Sequence, residues 1–110
     1  MRQGEIWYVN LNPIKGSEQA GYRPVVILSG NLLNKHLNVV IACPLTTKIK
    51  NYKGNPILVP DAANGLKEKS EVLVFHIRSI AKERLLEKAG HITQKQLDLM
   101  VKTLNDILKF

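Results

Sequence analysis

Three short runs in this chain carry almost no polar side chain: Val25 to Leu28 (VVIL), Val39 to Cys43 (VVIAC) and Glu71 to Ile77 (EVLVFHI). Each is rich in β-branched residues, too short to stand as a helix, and bounded by turn-forming residues such as Pro24, Gly30 and Pro44. Pro24 to Leu28, with no polar residue interrupting VVIL, reads as a strand buried on both faces, and the other two as further apolar strands of a sheet that must be covered. Gly4 to Leu11 (GEIWYVNL) is a further strand, with Trp7, Val9 and Leu11 on one face and Ile6, Tyr8 and Asn10 on the other; Asn12 and Pro13 end it. Ile57 to Val59 adds a short strand closed by Pro60 and Asp61. Gly30 to Asn38 and Ala62 to Ser70 read as connections, and a turn is expected at Lys53 to Asn55.

The C-terminal part has a different period. Thr93 with Gln96 three positions on makes a capping box, and Leu97, Val101, Leu104 and Leu108 recur at helical spacing. The stretch between, Arg78 to Lys88, is ambiguous: AKERLLEK has helical charge spacing but lacks the length to hold a helix without packing. Five or so short strands and one terminal helix predict a mainly β fold, a small barrel or strongly bent sheet capped by a helix. At 110 residues it is expected to form a single domain over 1–110, the barrel over about 1–92 and the helix over about 93–109.

Sixteen Lys and Arg stand against nine Asp and Glu, a net charge of +7. A surplus of that size in a small domain fits a polyanionic partner such as RNA, or an acidic protein. No run of about 18 apolar residues occurs and MRQGEIWYVNL has no signal-peptide core, so a soluble, cytoplasmic protein without membrane attachment is expected. Cys43 is alone and lies in an apolar run, the setting of a buried inert thiol. His36, His76 and His91 are far apart in sequence and form no metal-ligand pair, and neither a dinucleotide nor a phosphate-loop glycine motif is present; no metal and no cofactor are expected.

The chemically distinctive stretch is Gly16 to Ser29, GSEQAGYRPVVILS. Gly16 and Gly21 bracket a polar loop, and Pro24 pushes Arg23 towards an extended backbone at the mouth of a strand. Held there, the guanidinium is a planar fork of donors matched to phosphate oxygens; the alternative is a surface pair with Glu18. Thr46 and Thr47 fall just past the third strand as Arg23 falls just before the second, so antiparallel pairing of these strands sets them at one rim. RNA can be cut by its own 2′-hydroxyl, which needs a base, a charge stabiliser and a donor to the phosphate oxygens. Glu18, Arg23 and the hydroxyls of Thr46 and Thr47 are the right types, although threonines in such a place also satisfy turn backbone.

GEIWYVNLNPIKGSEQAGYRPVVILS followed by ACPLTTKIKNYKGNP resembles the MazF/PemK family of toxin endoribonucleases, which carry a GSEQxGxRPxxxxS loop and strand and a following PxTT or IT element. EVLVFHIRSIAKERL is similar to the family's later strand. The resemblance implies an SH3-like barrel with a C-terminal helix, a homodimer, and metal-independent cleavage of single-stranded RNA at short motifs, leaving 2′,3′-cyclic phosphate and 5′-hydroxyl ends. It also implies a cognate antitoxin whose acidic tail covers the RNA groove. Residue by residue it makes Arg23 the catalytic arginine, stabilising the transition state and a candidate proton donor to the leaving oxygen. It makes Thr46 the catalytic threonine and Glu18 a candidate base or loop organiser, with Gln19 beside it. Lys48, Lys50 and Lys53 are expected to guide the RNA backbone and Tyr52 to stack on a base; Tyr22, Thr47, His76 and Arg78 are further candidate RNA contacts. Where many relatives have an acidic residue followed by Gln, this chain has Phe75 and His76, expected on opposite faces of a strand. A histidine there can act as acid or base near neutrality, or be structural. Two other readings are a non-catalytic barrel binding RNA or an acidic partner, and a gyrase-poisoning toxin on the same barrel.

Overall fold

The computed structural model describes residues 1–11 and 22–109. Its elements are β1 (Glu5–Asn10), β2 (Tyr22–Ile27), α1 (Asn31–His36), β3 (Val39–Thr46), β4 (Ile57–Leu58), β5 (Ser70–Val72), β6 (Arg78–Ala81), β7 (Leu85–His91) and α2 (Gln94–Ile107). Single 3₁₀ turns occupy Val74–His76 and Lys82–Arg84. The strands pair in the order β4-β5-β3-β2-β1-β7, with β6 alongside β3, and every pairing is antiparallel. Glu18, Gln19 and the glycine bracket around them lie outside the described residues.

β3 is the hub. One of its edges pairs with β2 through Ala42 to Pro44; the other pairs first with β6 through Val39 to Ala42 and then with β5 through Leu45 and Thr46. This change of neighbour along one strand bends the sheet into a half-barrel. It also explains why β3 runs past Pro44, where the sequence pattern placed its end. The Pro44 carbonyl accepts the Leu73 N–H at 2.9 Å, so the edge on which proline lacks a donor is the one where β6 has ended and β5 begins.

The run Val25 to Leu28 buries both faces, as expected, while Val39 to Cys43 leaves Ile41 exposed and Glu71 to Ile77 leaves Phe75 and His76 exposed. Val26, Leu28, Cys43 and Leu45 join Ile6, Val72, Leu97 and Met100 in a core beneath α2, while Val25, Ile27, Val40 and Ala42 join Val9, Ile80 and Leu85 on the other side, flanked by Trp7 and Leu11. The capping box forms: the Thr93 hydroxyl accepts the Gln96 N–H at 3.1 Å and the Gln96 side chain accepts the Thr93 N–H at 2.9 Å. The buried face of α2 is Leu97, Met100 and Thr103, rotated from the expected leucine stripe, and it leaves Val101 and Leu108 exposed. Thr103 is drawn inward because its hydroxyl donates to the Gly54 carbonyl at 2.5 Å.

Three expectations are corrected. The connection after Gly30 contains α1, whose Asn34 is buried and bonded to Ser29. The run Glu71 to Ile77 is a strand only to Val72; its second half is the 3₁₀ turn closed by Ile77 N–H to Val74 O at 3.1 Å, because the Asn55 side chain takes the Val74 N–H out of the ladder at 3.3 Å. The ambiguous stretch Arg78 to Lys88 is not a helix: Ile80 and Leu85 turn inward from two strands joined at the Lys82–Arg84 corner. That corner and β7 are anchored through Gly90, where a Cβ would sit 2.1 Å from the Ala63 carbonyl oxygen; only glycine admits this backbone approach.

Candidate active site

β2 starts and β3 ends at the same rim of the half-barrel. The register Val25 opposite Pro44, carried two residues outward, sets Arg23 across from Thr46. Both line one cleft of about 270 Å³, together with Tyr22, Thr47, Lys48 and Ser70. Arg23 also lines a second cleft of about 440 Å³ with Leu11, Pro44, His76 and Arg78. Arg23 therefore borders two openings, one hydroxyl-rich and one flanked by a second arginine. Among the described residues the ion pairs are Lys88 and the terminal amine with Glu5, and Lys102 with Asp106; Arg23, Arg78 and Lys48 have none. A cluster of uncompensated cations around two clefts attracts a phosphodiester chain.

Thr46 is partly engaged. Its Oγ1 accepts the Lys48 N–H at 3.1 Å, the local turn contact that a threonine favours, so its own proton remains available to a phosphate oxygen. Thr47 is exposed beside it. Tyr22 stacks on Tyr8 with ring centroids 5.1 Å apart and donates its hydroxyl to Glu87. The Glu87 carboxylate, accepting that proton, holds the phenol above its ordinary range. Tyr22 thus braces the rim against β7 while its body lines the cleft.

The basic segment after Thr46 is built around a residue that the sequence did not single out. Glu71 is 0% exposed and stands opposite Thr46 in the β3–β5 register. Its Oε1 accepts the N–H groups of Lys50 and Asn51 at 2.8 and 2.9 Å, and its Oε2 accepts Tyr52 N–H and the Asn55 amide, both at 2.9 Å. Burial alone favours the neutral acid, but the Asn55 amide and the three backbone donors outweigh it and hold the carboxyl below the ordinary carboxylate range. Asn51 takes a positive φ of 56° to let consecutive N–H groups converge, and Gly54, at φ 92°, closes the expected turn between Tyr52 and Asn55. In sequence Glu71 is one acid heading an apolar run after KEKS; only its placement opposite Thr46 distinguishes it.

Of the predicted contacts, Arg23, Tyr22, Thr46, Thr47 and Lys48 meet at one cleft, and His76 and Arg78 meet Arg23 at the other. Lys50 and Tyr52 are presented by the Glu71-bound loop, outside both clefts, and Lys53 lines a separate depression against α2 with Leu99 and Thr103. Phe75 and His76 do not face opposite ways across a strand: they share the 3₁₀ turn, with ring centroids 4.4 Å apart. The Cys43 thiol is buried and pushed up to about 12 by that burial, so it is a core group with no nucleophilic character.

A family model described as PemK-like, MazF-like toxin of type II toxin–antitoxin system matches residues 2–108. The chain is 34% identical over 98 residues to the endoribonuclease MazF of Staphylococcus saprophyticus, covering 88% of this chain and 82% of that protein. It is 30% identical over 99 residues to the endoribonuclease EndoA of Bacillus subtilis, covering 89% and 85%. Among solved structures, a MazE–MazF crystal structure from Deinococcus radiodurans superposes with a TM-score of 0.82 at 28% identity, covering 98% of this chain and 95% of that one. The half-barrel with a C-terminal helix is thus the fold of MazF toxins. The chain belongs to the PemK-like, MazF-like toxin family of type II toxin–antitoxin systems.

Proposed function

We propose that this protein is a metal-independent, sequence-selective endoribonuclease toxin that cuts single-stranded RNA at the rim where Arg23 meets Thr46. The observation that carries this reading is Arg23, without an ion-pair partner among the described residues, lining one cleft with Thr46. A base takes the proton of the RNA 2′-hydroxyl, the freed oxygen attacks the adjacent phosphorus, and the bond to the 5′-oxygen breaks. The products are a 2′,3′-cyclic phosphate and a 5′-hydroxyl, whose proton is drawn from solvent through the open cleft. Arg23 stabilises the charge gathering on the phosphoryl oxygens and on the departing oxygen, Thr46 donates to one phosphoryl oxygen, and Glu18 is the base. Arg78 and Lys48 hold the flanking phosphates.

The family points to a cognate antitoxin, and the cationic rim suits an acidic segment of it lying in the RNA path. Two copies pair as a homodimer, a reading that rests on the family and on the apolar residues the terminal helix leaves exposed, Val101 and Leu108 among them. No helix among the described residues is long and apolar enough to cross a membrane.

The test is incubation of purified protein with a long mixed-sequence RNA in excess EDTA, beside Arg23→Ala, with the fragment ends mapped. Discrete cuts at one short motif, bearing cyclic phosphates and absent with Arg23→Ala, are the expected result. Intact RNA from folded wild-type protein overturns the reading and favours a binding module; inhibition of gyrase supercoiling without RNA cleavage favours the gyrase-directed alternative.

A further inference from the structure

The surface beyond the clefts carries a feature that the cleavage chemistry does not use. Tyr52, Phe75 and His76 form a continuous row of rings: Tyr52 meets Phe75 edge to face at 5.4 Å, and Phe75 meets His76 at 4.4 Å. Tyr52 is 51% and Phe75 45% exposed, and His76 is exposed at the end of the row that opens onto the cleft of Arg23 and Arg78. Three adjacent uncovered rings at a cationic rim leave apolar faces in water, and the ligand that satisfies both features is an unpaired nucleobase on a phosphate chain: its π-face stacks on a ring while its phosphates meet the cations. An edge-to-face pair leaves the faces of one of its rings uncovered by the other, so the geometry suits insertion of a flat group.

The row joins two segments that are distant in sequence, and one side chain ties them. Glu71 fixes the backbone of Lys50, Asn51 and Tyr52 and the Asn55 side-chain amide, and the Asn55 side-chain Oδ1 accepts the Val74 N–H that opens the 3₁₀ turn bearing Phe75 and His76. A shift of this carboxylate moves Tyr52 and Phe75 relative to each other.

We propose that Tyr52 and Phe75 are specificity-determining residues that stack one base of the RNA strand beside the scissile phosphate, and that Glu71 is the positioning residue that holds them together. This rests on the RNA reading given above. It assigns base selection in this chain to stacking on Phe75, supported by the Tyr52 loop.

The probe is a set of uncleavable 2′-O-methyl RNA strands of mixed sequence in which the fluorescent base 2-aminopurine is walked through every position, titrated onto wild type, Tyr52→Leu, Phe75→Leu and Glu71→Gln. Cleavage of the mapped natural motif is measured in parallel. Expected is quenching at one position with wild type, lost in Phe75→Leu, with affinity and KM for cleavage weakened about 5- to 100-fold in Phe75→Leu and Tyr52→Leu. Discrimination at the stacked base relaxes in the same variants. Glu71→Gln weakens binding, and the double variant Glu71→Gln/Tyr52→Leu is no weaker than the weaker-binding of the two single variants, because both act through one ring. If Glu71→Gln does not fold, Glu71→Asp, which keeps the charge but shortens its reach, replaces it in the same cycle. No quenching at any position with wild type, or quenching and motif unchanged in both Leu variants, overturns the stacking site. Strict additivity in the double variant overturns the positioning role. Displacement by an acidic peptide without any base quenching assigns the rings to a protein partner and also overturns the proposal. A wild-type protein that quenches the probe but leaves natural RNA intact removes the cleavage reading and supports the stacking site, so the two fail separately.

Discussion

The two ends of the β2–β3 pair are made of the same kind of strand and handle their polar groups in opposite ways. At the Ser29 end the polar groups satisfy one another: the Ser29 hydroxyl donates to Asn34 and accepts the Ile41 N–H, the Asn34 amide donates to the Ser29 carbonyl, and Gln3 bonds to Asn31 and to the Leu28 carbonyl. That end is closed, and its polarity pins α1 to the sheet. At the Arg23 end, Arg23 and Arg78 are exposed without a described ion-pair partner, and the Thr46 hydroxyl keeps a free proton. Buried donors and acceptors that have found each other stabilise a fold; exposed ones held rigid without partners are available to a ligand.

The contrast is broken most sharply by Arg23→Ala, which is expected to lower RNA cleavage on the order of 10³-fold. Its thermal midpoint should stay near wild type, because the side chain holds no described group; a large drop in that midpoint, read by circular dichroism, assigns Arg23 to the scaffold instead. Glu71→Ala should cost about 3 kcal/mol of stability in urea unfolding, since three backbone N–H groups and an amide lose their acceptor in a buried place. Asn34→Ala should cost about 2 kcal/mol by removing the partner of the Ser29 hydroxyl and carbonyl. Cleavage per folded molecule should be retained in that variant; a matching loss of activity would tie the closed end to function. Thr46→Val, which keeps shape and removes the hydroxyl, is expected to reduce turnover about 10-fold, with KM changing less.

The smallest effect is on pH. Glu5 is partly buried, which opposes its ionisation, yet the Trp7 indole N–H, the Arg2 N–H and the Lys88 ammonium bring it down from 4.5 to about 2, and Glu71 is lowered as well. In both cases the unfolded chain binds the proton more readily than the folded one. The Glu5 stabilisation is therefore fully present above about 4.5 and is lost as pH falls towards 2, and that of Glu71 is likewise lost on acidification. Urea unfolding of wild type between pH 5 and 2 should show this decline, and Glu5→Gln should show a shallower one. A parallel pair of curves would mean that Glu5 contributes nothing to the acid sensitivity.

Much of the molecule was legible in the residues because local rules act locally. VVIL buries both faces because it contains nothing that water would hold, and Thr93 and Gln96 cap α2 because each satisfies the other's free N–H. Arg23 and Thr46 were placed at one rim by strand polarity alone. The misreadings share a different cause. Leu73 and Val74 have strand propensity, but the Val74 N–H goes to Asn55, nineteen positions away in the chain, and the strand ends there. AKERLLEK has helical charges, but Ile80 and Leu85 are claimed by the core on the far side of β3.

Sequence by itself therefore determined the strands β1, β2 and β3, the terminal helix, the cationic surplus and the family to which the chain belongs, since each follows from residue types and near-neighbour spacing. Tertiary structure alone decided that Glu71 stands opposite Thr46, that it gathers three consecutive backbone N–H groups, and that Tyr52, Phe75 and His76 become neighbours. A buried carboxylate is tolerated only where donors converge on it, and convergence is a property of the folded chain that no local pattern of residues contains.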